Sequence, residues 1–294
     1  MKHPKEHDID NQRESEEQDS STRAERGGAP TSPHTFPASS EPRQPREAHE
    51  RRNMYDRRLY RLRSFSTDLV PFRVQIKESD LLILARKDLT DSAIAALKAV
   101  RAELEEWISR HPEFAASFVP LEVPAGQEPG AVVRAMYEAG RTCGVGPMAA
   151  VAGAVAEAVG TALLAASKEV IVENGGDIFA VVAKERVAQI FAGTSPFSDR
   201  LGIKLAPGTR CGVCTSSATV GPSVSFGKAD AVVVVADSAA LADAAATAIG
   251  NRVRAPEDIS EALDFSGKLP IRGAVIIIGD VLAARGEIEL VELS

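Results

Sequence analysis

Regular patterns of hydrophobic and polar positions begin near residue 70. The segment 72–86 alternates and then runs apolar, which predicts two strands around the polar pair Glu78 and Ser79. An amphipathic helix is predicted next, with Thr90 or Asp91 as its cap. The apolar face of that helix is formed by Ile94, Leu97, Val100, Leu104 and Trp107.

Three further helices are predicted along the chain. The first covers residues 131–142, and a long Ala- and Gly-rich helix follows over about 148–168. Small side chains let other elements approach closely, so the long helix is expected to lie against a sheet. The third helix covers 238–253 and is predicted to begin with Ser238 as its cap.

Several apolar segments follow one another with only turns between them. They read EVIVEN, GGDIFAVVAK, VAQIFAG, TRCGVCTSS and ADAVVVVAD, and the chain closes on AVIIIGD and IELVEL. This succession is typical of antiparallel sheet and differs from the alternation of strands with crossover helices. The predicted fold class is α+β, with a twisted antiparallel sheet packed against long helices in a single domain over residues 54–294.

Composition separates this domain from the residues before it. Residues 1–53 are polar and contain few large apolar side chains, which predicts a disordered tail. The charges nearly cancel there, so most of the formal charge of -7 lies on the domain. No apolar run has the length of a membrane span, and no signal-peptide pattern occurs. We therefore expect a cytoplasmic protein without nucleic-acid or membrane partners, and its small-residue helices are compatible with a homodimer.

The histidines and cysteines argue against two common kinds of active site. Four of the 5 histidines lie in residues 1–53, and His111 adjoins a proline, so a Ser-His-Asp or Cys-His unit is not indicated. Cys211 and Cys214 have the spacing of half a zinc site, but a second pair of ligands is absent. Cys214 is interpreted as a buried thiol, with a nucleophilic role as the alternative.

Asp243 and Thr247 form the first candidate site. An i, i+4 pair places a carboxylate and a hydroxyl one turn apart on the same helix face. Both groups are hard oxygen ligands that can hold Mg²⁺ while phosphate oxygens and water complete its coordination. The alternative is a polar stripe on a half-buried helix.

The second candidate is the turn between two apolar strands at Gly175, Gly176 and Asp177. Two glycines supply the positive φ torsions of a tight hairpin, and they also let a ligand approach the backbone closely. The segment 143–147, CGVGP, can present backbone N–H groups to an anion or serve as a plain turn between helices.

The third candidate is the hydroxyl-rich segment 214–230. Ser216, Ser217 and Thr219 can donate hydrogen bonds to phosphate, and Lys228 can add a positive charge. A loop without a ligand is the alternative.

The order of these segments resembles the ApbE superfamily of FAD:protein FMN transferases. It resembles more closely an uncharacterised ApbE-like family, number 0280. The resemblance runs from about Phe72 to the C-terminus and rests on ESDL, GPMAAVAGAVAE, VENGGDI, GVCTSSATVG followed by SFGKAD, and ADAAATAIGN.

The resemblance implies an ApbE-like, T-fold-related domain and a set of ligand-binding roles. In the transferases, residues matching Asp243 and Thr247 bind Mg²⁺, and the Gly-Gly-Asp hairpin brings backbone close to a flavin nucleotide. The implied cofactors are Mg²⁺ and FAD or FMN, with a flavoprotein acceptor as partner. The implied reaction is attack of an acceptor threonine hydroxyl on the FMN phosphorus of FAD, with release of AMP.

Two departures separate this chain from the transferases. Gly153 and Ala154 occupy a step that is Lys-Gly or Glu-Gly there, and GPSVSFGKAD replaces an element that begins with histidine. Two alternatives therefore remain at this point. One is a sulfur-assimilation factor, toward homocysteine, that uses Cys214 or Cys143, and the other is a nucleotide-binding protein without catalytic activity.

Overall fold

The computed structural model describes residues 68–218 and 226–293. The predicted tail, residues 1–53, lies outside these ranges. All elements and contacts below belong to the described residues.

The described residues contain one large sheet and one small sheet. The large sheet has the strand order β1-β2-β3-β4-β7-β8-β9-β10, and the small sheet has the order β11-β6-β5. Neighbouring strands pair antiparallel in both. The strands are β1 (Val70–Ile76), β2 (Ser79–Ala85), β3 (Val170–Asn174), β4 (Asp177–Val181), β5 (Arg186–Gln189), β6 (Leu201–Leu205), β7 (Arg210–Ser216), β8 (Ala231–Ala236), β9 (Gly273–Ile278), β10 (Val281–Gly286) and β11 (Leu290–Glu292).

The helices pack on one face of the large sheet. They are α1 (Thr90–Arg110), α2 (Pro112–Ala116), α3 (Ala131–Cys143), α4 (Val151–Leu163), α5 (Ala239–Gly250) and α6 (Ile259–Ser266), with 3₁₀ turns at Pro147–Ala150 and Pro256–Asp258. No single helix among the described residues is long and apolar enough to cross a membrane. Helix α3 and the 147–163 segment reach that length only as a pair bent by 107°.

Successive residues of the large sheet are buried on opposite faces of that sheet. Leu81 and Ile83 contact the helices, whereas Leu82 and Leu84 pack toward Ile203 of the small sheet. The core therefore has three layers: helices, large sheet and small sheet. The α+β class and the antiparallel sheet are confirmed, and the small sheet is a layer that the sequence patterns did not predict.

Two details of the predicted helices are corrected. The Ala- and Gly-rich helix ends at Leu163, because the chain turns before strand β3. Helix α1 lacks a side-chain cap at its first turn, and Asp88 instead accepts the Thr90 backbone N–H at 2.8 Å.

The start of helix α5 is capped twice. Ser238 accepts the N–H of Leu241, as predicted. Glu157 of helix α4 accepts the Ala239 N–H at 2.7 Å and the Ser238 hydroxyl at 2.9 Å. A carboxylate at this helix N-terminus accepts hydrogen bonds from N–H groups that have no partner within the helix, and its negative charge interacts favourably with the helix dipole. This contact fixes α5 against α4, and both helices contribute to the candidate site.

Candidate functional site

Helix α5 presents one polar face. Asp243, Thr247 and Asn251 follow at intervals of four residues and are all partly exposed, whereas alanines 244–246 between the first two are fully buried. The polar positions therefore lie along one open side of a helix whose other sides are packed into the core.

The Asp243 carboxylate is held against helix α4. Its Oδ2 accepts the Gly153 backbone N–H at 2.9 Å. The helices are so close here that a Cβ at Gly153 would collide with the carbonyl of Ala239 and press on the Asp243 Cβ. Gly153 thus has a packing role between helices α4 and α5.

The Gly-Gly hairpin lies beside the same part of helix α4. The Asn174 side chain donates from Nδ2 to the Ala152 carbonyl at 3.1 Å. Gly175 and Gly176 have φ values of 70° and 111°, as a two-residue hairpin turn requires. A Cβ at either glycine would meet no other atom within 4 Å, so the turn borders open space.

Asp177 turns into the protein beside this hairpin. It is 8% exposed, and its Oδ1 accepts the Thr215 N–H at 3.1 Å. Burial raises the pKa of Asp177 to about 7, although the Thr215 hydrogen bond opposes the shift. Asp243 is partly exposed as a residue, but its carboxyl group is desolvated by the surrounding protein. This desolvation, with the negative charge of Asp177 nearby, holds the pKa of Asp243 well above its usual range. The two carboxyl groups therefore interact electrostatically across the site.

Cys214 lies between the strand and helix of this cluster. Its Sγ is 3.3 Å from the Ala239 carbonyl, and the thiol also hydrogen bonds with Asp177. Burial and both aspartates raise the pKa of Cys214 well above that of a free thiol. Burial likewise raises the pKa of Cys143 to about 12 and that of Cys211 to about 11. A thiolate is disfavoured at each position, which argues against the sulfur-handling alternative.

The half zinc site is excluded by the strand geometry. Cys211 and Cys214 are three residues apart on strand β7, so they point to opposite faces of the sheet. Cys211 packs toward the small sheet and Cys214 toward the helices. His111 packs on the Trp107 ring with centroids 4.5 Å apart, which supports the structural interpretation of this histidine.

The predicted phosphate-binding hydroxyls are only partly described. Ser216 is partly exposed at the end of β7, beside Gly250 at the end of helix α5. Ser217 is largely buried, with 9% exposure. Thr219 lies outside the described residues. Lys228 is exposed.

The segment 143–147 is a turn between helices. Gly144 adopts φ 74° at the end of α3, and the Val145 N–H bonds back to the Gly140 carbonyl at 3.0 Å. These N–H groups are used to close the helix, as in a Schellman-type ending, so they do not form an anion site.

The donor set at Asp243 and Thr247 fits a cation that brings most of its ligands with it. Among the described residues, no group of three or more His, Cys, Asp or Glu side chains is arranged to hold a metal ion. One carboxylate and one hydroxyl suit Mg²⁺, which commonly retains water and binds substrate phosphates in such sites.

The cavity along helix α3 contains none of these residues. It has a volume of about 200 Å³ and is lined by Leu121, Glu122, Val123, Arg134, Tyr137, Glu138 and Arg141. The charged residues that line this cavity are exposed and carry both signs of charge, so they do not define a site for an anion or for a cation. We therefore place the candidate site at helix α5.

Gly153→Ala is expected to destabilise the protein by about 1–3 kcal/mol, as overpacking in a core does. Alanine at a helix interior normally stabilises by roughly 1 kcal/mol relative to glycine, so the expected sign is opposite to helix propensity. Urea unfolding monitored by circular dichroism measures the change. If the urea midpoint of Gly153→Ala is unchanged or raised, α4 and α5 can move apart to accept the methyl group without a loss of stability.

The fold and the site together define a class of protein. It is an α+β protein in which hydrogen bonds join a small-residue helix to a Gly-Gly hairpin and to the polar face of another helix. The family model described as AbpE bacteria matches residues 63–278 of this chain. The chain belongs to this family, as the ApbE-like motifs predicted.

Archaeal proteins named UPF0280 protein are similar over most of their length. The protein from Methanocella arvoryzae is 44% identical over 219 residues, which cover 74% of this chain and 88% of the relative. The protein from Methanosarcina barkeri is 41% identical over 220 residues, covering 73% and 85%.

Solved structures of flavin transferases are less similar to this chain in sequence than the archaeal proteins are. The apo flavinyl transferase ApbE from Pseudomonas stutzeri has 14% identity and a TM-score of 0.47, covering 74% of this chain and 93% of that one. Flavin transferase ApbE from Vibrio cholerae has 10% identity and a TM-score of 0.49, covering 74% and 96%.

Proposed function

We propose that this protein binds a flavin nucleotide together with Mg²⁺ on the open face of helix α5. The observation that carries the proposal is the meeting of separate segments at one place. Asn174 bonds Ala152, Gly153 bonds Asp243, and Thr215 bonds Asp177. Each of these segments belongs to a motif that carries the resemblance to the ApbE-like family, and each would supply a different part of a nucleotide site.

Each part of the proposed site has a distinct role. Asp243 and Thr247 would hold Mg²⁺, which when bound neutralises phosphate charge. The exposed turn at Gly175 and Gly176 leaves room for the nucleotide to approach the backbone. Ser216 would donate its hydroxyl to a phosphate oxygen. Asp177, which is buried and bonded to strand β7, would position the hairpin without contacting the ligand.

FMN transfer is the finer form of the proposal. In that reaction the hydroxyl oxygen of an acceptor threonine forms a bond to the FMN phosphorus of FAD and its proton is released. The bond from this phosphorus to the bridging oxygen of the pyrophosphate breaks, and AMP leaves with that oxygen and the bonding electron pair. Gly153 packs tightly where the transferases carry Lys-Gly or Glu-Gly, and the histidine element is replaced. We therefore expect nucleotide binding to be retained and AMP release to be slow.

Calorimetric and thermal-shift titrations of the full chain with FAD, FMN and ADP, each with and without Mg²⁺, test the binding. A ligand at 100 times its Kd stabilises the native state by about 2.7 kcal/mol, which such a titration detects. We expect FAD with Mg²⁺ to stabilise the protein and Mg²⁺ alone to have no effect, because the donor set needs the ligand phosphates. Release of AMP from FAD, with and without a threonine-bearing flavoprotein, measures turnover.

Asp243→Asn and Thr247→Val are expected to remove the Mg²⁺-dependent part of this stabilisation. Asp264→Asn makes the same chemical change at an exposed aspartate of helix α6 and should leave it intact. If Asp243→Asn binds FAD with Mg²⁺ as tightly as the unchanged protein, the proposed site is wrong.

A further inference from the structure

An exposed aromatic pair lies at the far end of the polar face of helix α5. Phe118 and Phe226 are 63% and 55% exposed, and their rings pack edge to face with centroids 5.5 Å apart. Val119 beside them is also 63% exposed. Clustered exposed apolar side chains commonly mark a binding surface.

Close backbone contacts are present next to each ring, at Ser117 and at Gly227. The Ser117 hydroxyl donates to the Val119 carbonyl at 2.7 Å, and Gly146 lies so close to Ser117 that a Cβ there would strike its carbonyl. On the other side, a Cβ at Gly227 would strike the carbonyl of Gly250 in helix α5. The backbone next to each ring is therefore packed against neighbouring elements, while the rings stay exposed and contact each other.

A hydrogen bond connects the pair to the proposed phosphate-binding residues. The Phe226 N–H donates to Asn251 Oδ1 at 3.0 Å, and Asn251 shares the open face of α5 with Asp243 and Thr247. Eight residues of helix separate Asn251 from Asp243, a rise of about 12 Å. A nucleotide bound along this face could contact both ends, because a sugar or ribityl chain and the phosphates separate its ring from the metal that the phosphates bind.

We propose that Phe118 and Phe226 form the platform on which the planar heteroaromatic ring of the nucleotide stacks, with its phosphates at Asp243 and Thr247. This inference rests on the proposed function and adds the ring site to it. Aromatic side chains bind such rings through their faces, and an edge-to-face pair leaves one ring face open. Preordered rings also reduce the entropy cost of binding.

Titration of the full-length double variant Phe118→Ala, Phe226→Ala tests this platform. The probes are FMN, ADP and inorganic pyrophosphate, each with Mg²⁺. Removal of stacking is expected to weaken ring-bearing probes roughly tenfold or more. Pyrophosphate has no ring, so its affinity should not change. The probe that loses affinity identifies the ring as isoalloxazine or adenine.

Two controls separate stacking from general damage. Val281→Ala removes an exposed apolar side chain from strand β10, outside the aromatic cluster, and should leave all three affinities unchanged. Phe226→Trp keeps an aromatic face and should retain ring binding. Unchanged FMN and ADP affinities in the double alanine variant, with pyrophosphate still bound, would overturn the platform alone. Failure of the unchanged protein to bind any probe would overturn the proposed function and the platform with it.

Discussion

Replacing Arg186 with methionine is expected to lower the free energy of unfolding by about 3–5 kcal/mol. The Arg186 side chain is only 4% exposed, and its guanidinium bonds Glu169 at 2.6 Å and Asp68 at 3.0 Å. Glu169 is fully buried directly before strand β3, whereas Arg186 begins strand β5. The pair therefore joins the small sheet to the large sheet. Loss of the arginine leaves the buried Glu169 carboxylate with only one of its two arginine partners, Arg86, at 2.9 Å.

Lys184→Met provides a matched control for this substitution. Lys184 also bonds Asp68, at 2.6 Å, but its side chain is 59% exposed. Surface ion pairs contribute about 0–1 kcal/mol, so this variant should unfold close to the unchanged protein. The double variant Arg186→Met, Glu169→Leu should be more stable than Arg186→Met alone, because it also removes the buried Glu169 carboxylate. Equal effects of Arg186→Met and Lys184→Met in guanidinium unfolding would contradict this account.

The metal-free protein is expected to lose stability as pH rises from about 4 to about 7. Burial raises the pKa of Asp177 from 3.8 to about 7. Between these values the unfolded chain has released a proton that the folded protein still holds, so the free energy of unfolding falls with rising pH. The loss reaches a few kcal/mol at 1.36 kcal/mol per unit of pKa, and it is complete above the folded pKa.

Asp177→Asn is expected to reduce the slope of this profile, and the slope that is left comes from Asp243, whose pKa is also raised by desolvation. Asparagine keeps an oxygen for the Thr215 N–H but has no proton to release. Urea unfolding at several pH values between 4 and 8, with EDTA present, measures the effect. Asp264→Asn changes an exposed aspartate and should keep the slope of the unchanged protein. The same slope in Asp177→Asn would show that another group, such as Asp243, carries the pH dependence.

The local patterns predicted much of the secondary structure. The helix at Ser238 and the hairpin at Gly175 and Gly176 follow from capping and from positive φ, which depend on neighbouring residues alone. The i, i+4 spacing also placed Asp243 and Thr247 on one face, and both are partly exposed. Their role as metal ligands remains a prediction.

Other site features could not be read from the chain. Gly153 looks like one small residue among many in its helix, yet α5 comes so close there that a Cβ would collide with the Ala239 carbonyl. Glu157 was a detectable signal, since it is a single acid in an apolar helix, but its target at Ala239 is 82 residues away. The pairing of Phe118 with Phe226 joins loops on different parts of the chain.

The sequence by itself determined the α+β class, the antiparallel sheet and the family, because local periodicity, turn residues and segment order express them directly. The tertiary structure alone decided the third layer and the inward orientation of Asp177. Strands such as AVVVVA are apolar on both faces, so their pattern does not say what covers each side. The environment of a carboxyl group likewise depends on the segments folded around it, and these are distant in the sequence.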